Sequence, residues 1–237
     1  MYPEATGSKI IIIFGPMESS MFDTLLSLPL FQGMTLSDFN SLLQKVKLDF
    51  MRYQDGDKII ESGERCDRFA FLINGCIEST RTGNSGLFTF RERIDAPCLI
   101  EPYSMFGRAG HYLRSYTAIG QTSFLFIDKQ YVYTEIGKYN ICRMNLLNIL
   151  SGRVQQMDKA VWSIDGMTLH ERMISFIKSL ADQQNGEKTI NIKMNDMATL
   201  MDATRINVSR ELNAMEAAGM VELNRSSIHI PRLEELK

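Results

Sequence analysis

The segment NDMATLMDATRINVSRELNAMEAAGMVEL, Asn195 to Leu223, constrains the fold more than any other. Two short apolar-patterned pieces meet at Asp202-Ala203-Thr204, which predicts two helices joined by a tight turn. In the first, Met197, Leu200 and Met201 are inward candidates, and Asn195-Asp196 offer an N-cap and an acidic first turn. Thr204 is placed to cap the second. Beyond it Val208, Leu212 and Met215 fall at i, i+4 and i+7, which sets one buried face. At about 100° per residue, Ile206, Arg210 and Asn213 point away from that face, with Asn207 and Ser209 on its flanks. Arg205 lies nearer the packed side, but in the first turn it can swing past the helix end. Gly219 ends the helix.

The chain continues VELNRSSIHIP. Val221 and Leu223 face Ile228 and Ile230 across an Asn-Arg-Ser-Ser turn, a small hairpin that Pro231 limits. Two helices, a polar outward face on the second and a following hairpin describe a winged helix-turn-helix. The chemistry fits: an arginine can donate two hydrogen bonds to guanine O6 and N7, and an asparagine suits adenine. Hydroxyls and helix N-terminal N–H groups can hold phosphate oxygens. Periodicity alone leaves this reading level with an ordinary helical hairpin whose basic face is solvated.

Upstream the pattern differs. From about Val46 to Asp128, the segments FMRYQDGDKII, RFAFLINGCIEST, GLFTFRERI and SYTAIGQTSFLFI are β-branched or aromatic. They are punctuated by Asp55-Gly56, Gly63, Asn74-Gly75 and Gly83-Asn84. Repeated strands at this spacing predict a small barrel or sandwich. Before them LSDFNSLLQKV reads as a short helix starting at Thr35 or Ser37.

Beyond Asp128, Leu147, Leu150, Val154, Met157, Val161 and Ile164 recur at alternating steps of three and four, the period of a coiled-coil seam. They lie on a long predicted helix, about 140 to 164. A dimer seam is favoured over a core helix packed on its own barrel, because a sustained narrow stripe is a pairing signature. Leu169, Met173, Phe176, Ile177 and Leu180 then form one apolar helical face that Asn185-Gly186 would close. EKTINIKM alternates like a strand.

Lys and Arg total 26 against 28 Asp and Glu, a formal net charge of −2. Bulk attraction to nucleic acid or acidic membrane is therefore absent, and any such binding must come from a local patch. Cys66, Cys76, Cys98 and Cys142 are scattered, which fits buried reduced thiols better than disulfides or a zinc site. His111, His170 and His229 lack metal-ligand spacing. At the N-terminus the apolar run Ile10–Phe14 is too short for a signal sequence or a membrane span. It reads as an edge strand or a leader upstream of Met17 or Met21. A cytoplasmic location is expected.

The run MATLMDATRINVSRELNAMEAAGMVEL closely resembles the DNA-binding helices of the Crp/Fnr superfamily of bacterial transcription regulators, in its T-R-x-x-V-S-R-x-L and G-M-V pattern. The resemblance extends from roughly Leu28 onward. It implies an α+β chain: an N-terminal double-stranded, jelly-roll-like β-roll sensor domain, a long dimerisation helix and a C-terminal winged helix-turn-helix. The expected boundaries are an extension (1–20), a cyclic-nucleotide-binding-like β-roll (21–139), the dimer helix (140–165) and the DNA-binding domain (166–237). Carried over by position, Arg205, Ile206 and Arg210 match the base-reading places, and Thr204 and Asn207 match backbone-contacting ones, with Ser209 beside them. Many members place a glutamate where Ile206 stands. Isoleucine can touch a thymine methyl but cannot accept from cytosine N4, so the expected half-site is not the family's familiar one. Asp202 stands where a glycine often sits in the turn, and aspartate tolerates left-handed geometry.

For the sensor, the resemblance implies effector contacts at Glu101, Arg114 and Ser115, and at Met157 and Asp158 on the dimer helix. An arginine beside a hydroxyl is a sensible grip on a phosphate or carboxylate. Ile100, Pro102 and the longer Glu-to-Arg interval depart from the cyclic-AMP pattern, as does Met157-Asp158 where adjacent Thr and Ser would meet the base. An unknown small effector or a degenerate pocket therefore ranks ahead of a cyclic nucleotide, and a surface or interdomain salt bridge competes for Arg114. An iron–sulfur cluster does not fit, because the clustered N-terminal cysteines are missing. His111 leaves haem open, although a lone histidine is more often structural.

The expectation is a homodimer with Leu147, Leu150, Val154, Met157 and Val161 at its interface. It binds double-stranded DNA and a small effector, and RNA polymerase is a further partner for such a regulator. A rival reading is an effector-binding module whose helical tail docks a protein. An enzyme is not expected, since no nucleophile–base pair, metal motif or phosphate loop supports one.

Overall fold

In the computed structural model, residues 19–162 and 166–237 are described; the N-terminal apolar run and Ile164 lie outside them. Two compact units result. One comprises the residues up to Glu78 together with Ile94–Gly152; the other comprises Ser79–Arg93 with Arg153–Lys237. The division therefore interleaves the sequence, drawing Ser79–Arg93 out of the segment expected to be sensor.

The first unit opens with helices α1 (Ser19–Ser27) and α2 (Leu36–Leu43). Of the two caps offered for α2, Thr35 is used: its Oγ1 accepts from the Asp38 N–H at 3.1 Å. Strands β1 (Asp49–Tyr53), β2 (Lys58–Ile60), β3 (Arg68–Thr82), β4 (Phe88–Asp95), β5 (Cys98–Ile100) and β6 (Ser115–Asp128) follow. β1 and β2 lie antiparallel on β6, and β5 on β3. The Asp55-Gly56 and Gly83-Asn84 turns stand where the sequence puts them. Asn74-Gly75 does not make a turn. It sits inside β3, where a Cβ on Gly75 would come within 2.4 Å of the Gln121 carbonyl oxygen, so glycine is kept for close backbone approach. The core joins Phe31, Phe39, Phe69, Phe71, Phe124 and Phe126 with the leucines of α1 and α2. All four cysteines are free. Burial pushes the Cys66 and Cys142 thiols up to about 11, which makes them poor nucleophiles.

After α3 (Lys129–Thr134), α4 runs Asn140–Trp162. Its first turns are tied down: Cys142 is buried, and the Asn145 amide donates to the Leu30 and Gln32 carbonyls.

In the second unit, α5 (Leu169–Leu180) starts with a capping box between Thr168 and Glu171 and stops at Ala181, earlier than Asn185-Gly186. Then come β7 (Lys188–Ile192), α6 (Met194–Leu200), α7 (Arg205–Ala217), β8 (Glu222–Asn224) and β9 (Ser227–Ile230). β7 pairs with β9 on one edge and with β4 on the other; β8 and β9 form the expected hairpin, with Leu223 opposite Ile228. Met173, Ile177, Ile190, Met197, Val208, Leu212, Met215 and Ile230 fill the core, joined by Phe90 from β4.

Two details of α6 correct the sequence reading. Lys193 occupies its N-cap position with no side-chain cap, so Asn195 and Asp196 lie inside the first turn. Leu200 is 37% exposed, while Met197, Ala198 and Met201 take the inward positions. A seven-residue helix ended by a turn has only one apolar face to bury, and three residues fill it.

Candidate nucleic-acid interface

The turn between α6 and α7 rests on Asp202, whose φ of 45° is left-handed. An aspartate accepts this region more readily than most side chains, so the departure from glycine leaves the turn intact. Thr204 then caps α7, its Oγ1 accepting from the Asn207 N–H at 3.2 Å. Without that hydroxyl one N–H of the first turn loses its partner, at about 1 kcal/mol.

Val208, Leu212 and Met215 are buried, as their spacing predicts. They fix the rotation of α7 about its axis, so the opposite edge is presented rather than free to roll. Leu212→Ala is expected to destabilise the protein by about 2–5 kcal/mol. A thermal melt would register this, and an unchanged midpoint would contradict the packing.

On the outward edge, Ile206 is 78% exposed, and Arg205 and Arg210 are exposed beside it. Arg205, Ile206, Ser209, Arg210 and Asn213 line one open depression. An Arg210 guanidinium N–H donates to Asn207 Oδ1 at 3.2 Å. Such exposure of isoleucine between two arginines has no folding rationale: burial would recover about 1.5–3 kcal/mol. At the far end Gly219, at φ 73°, carries the chain out, with the Met220 N–H on the Met215 carbonyl and the Gly219 N–H on that of Glu216. The hairpin turns at Arg225-Ser226, with Ser226 at φ 59°.

A second contact holds α7 from behind. His170 on α5 sits 2.7 Å from Glu211 Oε1 through Nδ1 and 2.9 Å from the Lys237 carbonyl through Nε2. The hydrogen bond to the Lys237 carbonyl, then Glu211, raises its pKa. A raised histidine stabilises fully below its unfolded value of about 6.5, and the contribution fades as pH climbs through the higher folded value. An NMR titration of the His170 ring should therefore show a midpoint above about 6.5 that falls in Glu211→Gln; a midpoint indifferent to that change would contradict the clasp.

In the segment that the resemblance reads as a sensor, Glu101 (φ 38°) and Arg114 are both buried. The Glu101 carboxylate accepts from Ser104 Oγ at 2.6 Å, the Leu113 N–H at 2.9 Å and the Tyr116 hydroxyl at 2.9 Å. Ser115 Oγ accepts from the Ser62 N–H at 3.0 Å. Glu101 and Ser115 are thus engaged within the protein itself. Met157 and Asp158 stand exposed on α4. His111 is exposed, its ring against the Ala109 carbonyl. Of the seam residues, Leu147, Val154 and Met157 are exposed and Leu150 is half-buried. The Val161 side chain lies outside the described residues. No group of residues fit to hold a metal ion occurs among those described, and no described helix is long and apolar enough to cross a membrane.

The helix pair, its second member capped by Thr204, and the hairpin after it define a winged helix-turn-helix, the class of module that reads duplex DNA. Residues 171–237 match the family described as the Crp-like helix-turn-helix domain. That match agrees with the Crp/Fnr resemblance of the sequence. In fold the chain is similar to the catabolite activator protein of Thermus thermophilus, at 20% identity and a TM-score of 0.50, over 88% of this chain and 95% of that one. It is likewise similar to the sensor domain of the transcriptional regulator DNR from Pseudomonas aeruginosa, at 21% identity and a TM-score of 0.50, over 59% of this chain and 93% of that one. No curated protein matches the chain.

Sequence reasoning missed one pair, Glu92 and Lys188, both essentially unexposed. The signal existed: each is a charged residue at an inward-facing register position, Glu92 between Phe90 and Ile94 and Lys188 two before Ile190.

Proposed function

We propose that the protein is a cytoplasmic homodimer that binds a near-palindromic operator and regulates transcription under control of a small effector. Two copies of α7 would enter successive major grooves about 34 Å apart. Arg210 and Arg205 would donate to guanine O6 and N7, Ile206 would contact a thymine methyl, and Thr204, Asn207 and Ser209 would hold the backbone. The single observation that carries this reading is the outward edge of α7: two arginines and a bare isoleucine, on a helix whose opposite face is clamped in the core.

The dimer contact would run along α4 through Leu147, Leu150, Val154, Met157 and Val161. Apolar residues left in water at 3.5-residue spacing support it. RNA polymerase is the further partner such a regulator would meet on DNA.

The effector would be a small molecule other than cyclic AMP, contacting Glu101, Arg114 and Ser115. The Glu101 carboxylate already accepts three hydrogen bonds, so an incoming hydroxyl would share its oxygens with the Ser104, Leu113 and Tyr116 donors. Ligand would then shift a balance between arrangements that exist without it. Native mass spectrometry of the purified protein, followed by thermal shift with each molecule recovered, tests the effector. Duplex binding by Arg205→Ala/Arg210→Ala tests the reader. Retained duplex binding would favour a module acting through protein contacts.

A further inference from the structure

The second unit is built from two separate stretches of chain, and the short one is held by a buried ion pair. Ser79–Arg93 forms the end of β3, the turn and most of β4. β4 lies antiparallel along β7, with Phe88 opposite Ile192, Phe90 opposite Ile190 and Glu92 opposite Lys188. Phe90 is buried in the core of the winged unit, and the Phe88 ring meets Phe176 of α5 edge-on at 5.5 Å.

Glu92 and Lys188 are each 1% exposed, and Lys188 Nζ lies 3.5 Å from Glu92 Oε2. The carboxylate also accepts from the Asp182 N–H at 3.1 Å and the Gln183 N–H at 3.3 Å, and the ammonium donates to the Asn185 carbonyl at 2.6 Å. Asp182 pairs in turn with Arg153 of α4 at 2.7 Å. A buried pair of this kind adds little net stability but specifies one register. A slip of β4 by one residue would leave both charges unpaired and put Phe90 in water.

Chain connectivity gives the hairpin its consequence. The DNA-binding unit is joined to the rest of the protein at Glu78–Ser79, at Arg93–Ile94 and through α4 at Gly152–Arg153. With β4 docked, three crossings restrain the unit; with β4 released, only α4 does. Two recognition helices must meet two half-sites at a fixed spacing, and a unit swinging on one tether has more freedom to lose on binding than one already held.

Resting on the reading of α7 as a DNA reader, we propose that Ser79–Arg93 is a latch that preorganises the DNA-binding unit, with Glu92 its positioning residue. Glu92 is buried and touches no nucleic acid; it acts by keeping β4 on β7.

The test uses the full-length protein, the duplex that it selects from a random library, and two changes. Glu92→Ala removes the carboxylate. Thr89→Cys with Asn191→Cys, directly opposite in the β4–β7 register, replaces the ion pair with a reversible covalent link. Glu92→Ala should raise amide exchange at least tenfold in Phe88–Glu92 and Lys188–Ile192, while α7 and the β8–β9 hairpin stay within threefold of the parent. Its duplex affinity should fall at least tenfold. Oxidising the cysteine pair in the Glu92→Ala background should bring affinity back to within threefold, and reduction should abolish the rescue.

Affinity unchanged by Glu92→Ala would overturn the proposal, as would a loss that the formed cross-link does not repair. Exchange rising throughout 166–237 would overturn it too, since Glu92 would then be only part of the fold. If the parent protein binds no duplex, the DNA reading fails, and the exchange measurement alone still decides whether β4 is separately released.

Discussion

Arg210→Ala is expected to weaken operator binding by about 1–3 kcal/mol, roughly 5- to 150-fold, and to relax the preference at one base position per half-site. Val208, Leu212 and Met215 fix the helix rotation, so the Arg210 side chain emerges on the edge away from the core. The Asn207 side-chain oxygen accepts from its guanidinium at 3.2 Å, which limits the ways the fork can point. A bidentate donor so placed discriminates guanine from every other base, whereas losing an arginine that sits on phosphate lowers affinity on all sequences alike. A mobility-shift series against single-base operator variants separates the two cases. Equal loss on every duplex, with a shallower salt dependence, would move Arg210 from reading bases to holding backbone.

Introducing charge on the α4 stripe should have a larger effect. Leu147→Arg with Val154→Arg would remove four apolar side chains from the proposed twofold seam and set like charges across it. At about 1.5 kcal/mol per side chain the lost burial alone is about 6 kcal/mol, so the dimer dissociation constant should rise by at least about 1,000-fold. Operator binding falls with it, because a single recognition helix engages only one half-site. Each unit should still fold, as both positions are exposed in the single chain. Sedimentation equilibrium measures the outcome directly. A variant that remains dimeric at micromolar concentration would place the seam elsewhere.

The helix-turn-helix is legible in the sequence because its signals are local. A threonine cap, an i, i+4, i+7 stripe and a terminal glycine each act within one helix, and all three stand where the spacing puts them. Asp202 could be judged from conformational preference alone. Leu200 could not: three neighbours compete for one short inward face, and which is left out depends on how α6 meets α7. The Asn74-Gly75 pair shows the same limit. It carries turn chemistry, yet the glycine serves a backbone contact with Gln121 across the sheet. The end of α5 was misplaced by a local cue, since Asn185-Gly186 lies in the loop that also receives the Lys188 ammonium.

The hairpin of Ser79–Arg93 was the least legible feature. Its alternation reads correctly as a strand, but pattern says nothing about which edge a strand will join. β4 finds β7, which lies far along the chain. Only the charged residues Glu92 and Lys188, each at an inward position, hint that two strands must meet there. Around Glu101, residue types are legible and their engagement is not: the carboxylate expected to grip a ligand accepts from Ser104, Leu113 and Tyr116.

Whether α7 reads base sequence is decided by selection of bound duplexes from a random library with the full-length protein, at low ionic strength and with and without cell metabolites. The expected result is enrichment of two inverted half-sites centred about one helical turn apart, with guanine opposite the arginines and thymine beside Ile206, lost together in Arg205→Ala/Arg210→Ala. A pool that stays random under every condition would contradict it.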